Sequence, residues 1–233
     1  MTELVRIENL VARRGGFSLQ IPNWTVEAGG VFAVVGSNGA GKSTLLELIS
    51  GLERADEGLL EVLGHDPIAR PVEVKSQVGF MSDDMPIFAE TVGRLLWFLS
   101  GYYSTWNDGL VGDLLSRFDL DTSKKVTELS RGEGTRIRLI TAMAFEPRLL
   151  VLDEPATGLD VVGRRRLLET ILDVVRDPER SVVISSHQLG DVERLADELL
   201  VLDEGRVVQV GATADLVGEG RTLEEAMMAW GGG

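Results

Sequence analysis

The sequence predicts an α/β fold: a mainly parallel sheet, an antiparallel β subdomain ahead of it, and an inserted α-helical subdomain within it. Three observations predict this. Short continuous apolar runs, Phe32–Val35, Leu149–Leu152 and Ser181–Ser185, have the character of strands buried on both faces of a parallel sheet. Helix-forming stretches separate them, as crossover connections require. From Met85 to about Phe145 the pattern turns helical and aromatic, and strand character returns directly afterwards.

The elements follow in order. Residues 4–21 alternate apolar and polar, with Phe17, Leu19 and Ile21 on one face, and Gly15 and Gly16 break the run, which predicts an antiparallel hairpin. A strand at 31–35 and a helix at 43–50 follow, then short strands near Leu59–Leu63 and Gly79–Met81. Pro147 stops the last helix of the insertion, and Leu149–Leu152 fills the middle of the sheet. Residues 164–176 read as a helix, 181–185 as a strand and Asp191–Ala196 as a third helix. Leu199–Leu202 and Val207–Val210 flank Asp203-Glu204-Gly205-Arg206, a hairpin turn. The division expected is one domain over 1–220, with a core of 1–83 and 147–220 around a helical subdomain of 84–146. Residues 221–233 are expected to be a frayed tail.

Composition bounds the function. The 233 residues suffice for a buried core. A net charge of −14 argues against a nucleic-acid partner, since phosphate backbones attract the basic clusters missing here. With no cysteine, disulfides, thiolate metal sites and cysteine catalysis are excluded. No basic-then-apolar leader is seen, and the apolar runs fall far short of the ~20 residues that span a bilayer. Membrane association is therefore expected only through another protein.

The most informative segment is Gly36-Ser37-Asn38-Gly39-Ala40-Gly41-Lys42-Ser43-Thr44. A buried strand delivers the chain to a glycine-rich loop whose N–H groups converge on a phosphate, and the next helix points its positive end there. Lys42 is placed to reach the β- and γ-phosphates and Ser43 to ligate magnesium. Asp153 and Glu154 end the strand 149–152, and in parallel sheets ligands bind beyond the carboxyl ends of the strands. Asp153 suits a magnesium ligand and Glu154 a base that polarises the attacking water. His187, just past the strand 181–185, suits a hydrogen-bond donor to the transferring phosphoryl group. Ser130 and Glu133 have the spacing of a capping box that starts a helix, whose N-terminus is also an anion site. His65, in a turn, is expected to carry no chemistry. Arg164-Arg165-Arg166 fans around a helix as a solvated face. The aromatics between Trp97 and Trp106 read mostly as core of the helical subdomain.

This constellation resembles the nucleotide-binding subunit of an ATP-binding-cassette (ABC) transporter, a P-loop NTPase with a RecA-like core. Gly36–Thr44 is similar to its Walker A motif and Leu149–Glu154 to its Walker B. Leu129–Glu133 resembles the signature motif, Thr157-Gly158-Leu159-Asp160 the D-loop and His187 the switch histidine. Tyr102, Tyr103 and Trp106 resemble a bacterial subgroup serving ABC-2-type exporters. The resemblance implies ATP and Mg2+ as cofactors, a head-to-tail dimer with a second ABC ATPase subunit, and a transmembrane permease subunit as partner. It implies a cytoplasmic protein, peripheral on the inner membrane. Ser130 and Gly132 of one subunit would complete the nucleotide site of the other.

Three departures from the family pattern involve four positions. Asp83 stands where the Q-loop glutamine is expected, and an aspartate oxygen still suits magnesium. Arg14 stands where an aromatic residue stacks on adenine, with Phe17 near enough to substitute. Arg131 and Glu133 replace a signature glycine and glutamine. Met81, Met85, Ile87 and Phe88 around Asp83 are expected to line the groove for a partner helix. A non-transport ABC ATPase of DNA repair or translation is disfavoured by the single cassette, the absence of cysteine and the negative charge. A small GTPase is disfavoured by the lack of an N-K-x-D segment, and a P-loop kinase by the helical insertion where a substrate lid would be.

Overall fold

Gly15, with a left-handed φ of 58°, turns the chain between two long antiparallel strands, β1 (Glu3–Arg14) and β2 (Phe17–Glu27), whose last registered pair is Arg14 with Phe17. This hairpin opens a computed structural model that describes residues 2–218 and 220–230. The chain continues through β3 (Val31–Gly36), α1 (Lys42–Ile49), β4 (Glu57–Val62), α2 (Pro71–Lys75) and β5 (Val78–Ser82). Then come α3 (Val92–Ser100), α4 (Asp108–Phe118), a 3-10 turn at Val126–Glu128 and α5 (Arg131–Met143). Strand β6 (Leu149–Asp153), α6 (Val161–Val174), β7 (Ser181–Ser185) and α7 (Leu189–Leu195) follow. The hairpin β8 (Glu198–Asp203) and β9 (Arg206–Ala212) leads to α8 (Thr213–Val217) and α9 (Leu223–Trp230).

The described strands make one sheet in the order β4-β1-β2-β9-β8-β3-β7-β6-β5. The five strands from β8 to β5 are parallel, and β1 is antiparallel to both its neighbours, β4 and β2, in keeping with the expected mainly parallel sheet and antiparallel β subdomain. Every residue of β6 and β7 is buried, which explains their continuous apolar runs. Alternate residues feed two cores. Val31, Ala33, Val35, Leu150, Leu152, Val182 and Ile184 face the cluster that includes Ile137 and Ile140 of α5 and Leu167 and Ile171 of α6. Phe32, Val34, Leu149, Val151 and Val183 face the cluster that includes Leu45, Leu46, Leu48 and Ile49 of α1 and the inner faces of β1 and β2. Removing such side chains from water is the main stabilising term, roughly 25 cal/mol per Å² of apolar surface.

Local chemistry sets the helix ends. Thr91, Asn107, Ser130 and Asp160 cap α3, α4, α5 and α6, each accepting a bond from a backbone N–H in the first turn. The Asp160 cap places the start of α6 at Val161, three residues before the position read from the sequence. Glu204 and Gly205 both have positive φ, 43° and 80°, the backbone a tight two-residue hairpin turn needs.

Three expectations are corrected. Residues 223–230 are a helix, not a frayed tail: Leu223 and Ala226 are fully buried, and Thr222 and Glu225 close a capping box at its start. Residues 231–233 lie outside the described residues. Of the aromatics between Trp97 and Trp106, three are surface, Trp97 being 69%, Phe98 52% and Tyr102 70% exposed, while Tyr103 stacks on Phe145 at 4.0 Å between ring centroids and Trp106 packs on the core. Met81 belongs to the core and not to a groove, whereas Met85 lines a cleft of about 220 Å3 with Leu52, Phe80, Leu99 and Tyr103.

Candidate nucleotide-binding site

Register puts the chemistry on one edge. Val34 of β3 pairs with Ser185 of β7, Ser185 with Asp153 of β6, and Asp153 with Ser82 of β5, while Gly36 pairs with Leu202 of β8. The carboxyl ends of all five parallel strands therefore finish together, the edge where α/β sheets bind ligands.

The loop Gly36–Gly41 leaves β3 there and enters α1. It must be made of glycine at two points. A Cβ on Gly36 would overlap the Leu202 carbonyl oxygen, and one on Gly41, whose φ is 105°, would lie 2.9 Å from Phe17 Cζ and Leu19 Cδ1. Gly39 also has positive φ, 82°. Lys42 is buried, and its Nζ donates to the Gly36 and Ser37 carbonyls at 2.9 and 3.0 Å, which folds the ammonium back into the loop. Ser43 and Thr44 follow in the first turn of α1, at the positive end of its dipole.

Opposite the loop, Ser185 organises the two acids. Its Oγ donates to Asp153 Oδ1 at 2.5 Å and accepts from the Glu154 N–H at 2.9 Å. Asp153 is buried, while Glu154 turns out of the strand with a left-handed φ of 49°. For a glutamate that backbone is strained, and such strain concentrates at functional sites. Glu154 Oε2 lies 2.5 Å from His187 Nδ1, so the assigned base and the phosphoryl-sensing histidine are in contact. Glu47, on α1, has its carboxyl held above the ordinary range by burial first, with Glu53 and Asp153 adding to the shift.

Ser130 and Glu133 form a complete capping box at the start of α5. The Ser130 N–H donates to Glu133 Oε2 at 2.9 Å, and Lys124 Nζ donates to both Glu133 oxygens at 2.8 and 2.9 Å. These bonds, the lysine's first, hold the Glu133 carboxyl down at about 2. Gly132 is buried against the D-loop, where a Cβ would meet the Gly158 carbonyl oxygen at 2.9 Å.

Two assigned residues have partners that the sequence did not predict. The Arg14 guanidinium bonds Glu53 at 2.7 Å and the Arg13 and Arg54 carbonyls at 2.7 and 2.9 Å. Phe17, its cross-strand partner, lies against Gly41 at the mouth of the loop. Asp83 is paired with arginines: its Oδ2 bonds Arg131 at 2.7 Å and its Oδ1 lies 3.6 Å from Arg138. Sequence reading missed Ser185, whose only signal was a serine at the end of a buried strand next to one ending in acid. Arg164 also departs from a merely solvated face, since it is ion-paired with Asp191.

The donor set fits magnesium. A serine hydroxyl and an aspartate carboxylate are hard oxygen ligands that leave room for waters and phosphate oxygens. The loop fits a phosphate chain, because the missing Cβ atoms leave backbone approachable where a side chain would block it.

Fold and site together define an α/β nucleotide-binding domain with its phosphate loop at the carboxyl edge of a parallel sheet. The family model of the ABC transporter matches residues 19–157, and the chain belongs to that family as an ATP-binding domain. It is 34% identical over 219 residues to a sulfate/thiosulfate import ATP-binding protein, CysA, of Nephroselmis olivacea, covering 91% of this chain. It is 35% identical over 200 residues to a daunorubicin resistance ATP-binding protein, DrrA3, of Streptomyces coeruleorubidus, covering 83%. The chain spans 64% and 63% of the length of those two relatives. Its structure is similar to that of an ATP-binding subunit of an ABC transporter, with a TM-score of 0.88 and 25% identity over 97% of this chain and 99% of that one. No helix among the described residues is long and apolar enough to cross a membrane.

Proposed function

We propose that this chain hydrolyses ATP as the motor subunit of an exporter, driving a separate transmembrane permease from the cytoplasmic face of the inner membrane. The observation that carries this is the shared edge: the phosphate loop, Asp153, Glu154 and His187 all sit at the carboxyl ends of adjacent parallel strands. Gly36–Thr44 cradles the triphosphate through its N–H groups, and Lys42 exchanges its loop carbonyls for phosphate oxygens. Ser43 and Asp153 would hold magnesium, which would supply charge neutralisation of the phosphates. Glu154 accepts a proton from the attacking water, and His187 keeps that carboxylate oriented and donates toward the γ-phosphate. Phe17, rather than Arg14, packs against the adenine.

Ser130 and Gly132 act on the nucleotide of a second ABC ATPase subunit, identical or related, so that ATP closes the dimer and hydrolysis reopens it. The exposed aromatics of α3 and the cleft beside Met85 suit a partner helix from the permease. Export is the reading that Tyr102, Tyr103 and Trp106 support. The test is Glu154→Gln. It should lower turnover by about two to three orders of magnitude, as loss of a positioned base does, while ATP binding persists and an ATP-dependent dimer accumulates on gel filtration. Turnover at the wild-type rate would remove the reading.

A further inference from the structure

Asp83 and Arg131 are two of the four positions at which the sequence departs from its family pattern in charge, and the fold brings these two together. Arg131 Nη2 and Nε donate to Asp83 Oδ2 at 2.7 and 3.1 Å. Arg138, seven residues and two turns further along α5, presents its guanidinium to the other oxygen at 3.6 Å and donates from Nε to the Met85 carbonyl at 2.7 Å. The turn 82–85 is itself fixed by the Met85 N–H donating to the Ser82 carbonyl. The stem of Arg131 lies over Gly158, where a Cβ would meet Arg131 Cγ at 3.0 Å.

An arginine at the first position of a helix sits at the positive end of the helix dipole, an unfavourable place that needs a nearby anion. Asp83 supplies one from outside the helix. It follows directly on Ser82, which pairs with Asp153. A short covalent and ionic path therefore joins the acids of the sheet edge to the capped end of α5.

We propose that Asp83 is a positioning residue, which with Arg131 and Arg138 latches the N-terminus of α5, and so Ser130 and Gly132, at a set position relative to the carboxyl edge of the sheet. The proposal rests on the functional reading above for its effect on turnover, but not for the latch itself. Replacement of the charge at either end loosens the helix end; it does not remove a metal ligand.

The experiment uses the full chain in four forms: wild type, Asp83→Asn, Arg131→Gln and the double variant. In nucleotide-free protein at low salt, amides 133–135 should exchange about two- to fivefold faster in each single variant, the range an exposed ion pair supports, and no faster than that in the double. Asp83→Glu should restore most of the protection. Turnover of the single variants should fall about three- to tenfold through kcat, with the KM for ATP and the magnesium requirement unchanged, as expected when a group is displaced rather than deleted. Unchanged exchange in Asp83→Asn, or effects that add in the double variant, overturns the latch. A raised magnesium requirement confined to the Asp83 variant overturns it in favour of metal ligation. A wild type with no ATP turnover would instead sink the functional reading, while the exchange result still decides the latch.

Discussion

Ser185 shows how one hydroxyl can serve two strands. It donates to Asp153 and accepts from the Glu154 N–H, so a single side chain satisfies a buried carboxylate oxygen and the first N–H beyond β6. Replacement by alanine leaves both without that partner in a site largely closed to water. The penalty for unpaired buried polar groups is about 1–3 kcal/mol. Ser185→Ala should lower the urea midpoint accordingly with an unchanged denaturant slope, and a loss below about 0.5 kcal/mol would mean that water takes the hydroxyl's place. The same residue marks the limit of sequence reading at this scale. Lys42, Asp153 and Glu154 were legible because each sits at the end of a strand or in a loop whose chemistry is local. Ser185 was not, because its role depends on which strand lies beside β6, and pairing between strands 30 residues apart leaves no local trace. The partners of Asp83 were hidden for a related reason: Arg131, which bonds it, lies 48 residues later on a helix.

At the scale of elements, α5 carries a testable pH dependence. The Glu133 carboxyl lies at about 2 in the folded protein, below its ordinary value near 4.5. A depressed acid contributes stability that is complete above the unfolded value and is lost as pH falls through the folded one. The stability gap between wild type and Glu133→Gln should therefore be full at pH 6 and mostly gone at pH 2 to 3. Its size should be about 1 kcal/mol, the scale of a helix cap with a partly exposed ion pair. Urea unfolding on either side of the isoelectric region near 4.6 measures it; a gap that widens toward low pH would contradict the assignment. The capping box at 130–133 announced this helix in the sequence, as the apolar runs announced β3, β6 and β7. The box at Thr222 and Glu225 carries the same signal but was hidden by its closeness to the terminal glycines. Helix α9 is held by burial instead: Leu223 is fully enclosed, and its N–H donates to Glu193 of α7 at 3.0 Å. Leu223→Ala should cost about 2–4 kcal/mol, the range for emptying a buried leucine site, and a change under about 1 kcal/mol would show α9 to be dispensable. The exposed aromatics of α3 misled in the opposite direction, since helical periodicity reports an apolar face but not whether this chain covers it.

For the whole molecule, net charge makes a prediction that the local site does not. Each chain carries −14, so two copies approaching head to tail repel one another over long range, whatever the nucleotide between them contributes. The attraction expected from the proposed sandwich acts at contact, through Ser130 and the N-terminus of α5, and is partly shielded from salt by burial. Repulsion between the two surfaces acts across solvent and is screened with a Debye length of about 30 Å at 0.01 M salt and about 10 Å at 0.1 M. Raising salt over that interval should therefore strengthen the ATP-bound dimer of Glu154→Gln, with most of the gain below about 0.15 M. Sedimentation of that variant with ATP at several salt concentrations reads the effect. A dimer that weakens steadily with salt would mean that complementary charges across the interface outweigh the overall field, and that the acidity of this chain lies away from the surface where the two subunits meet.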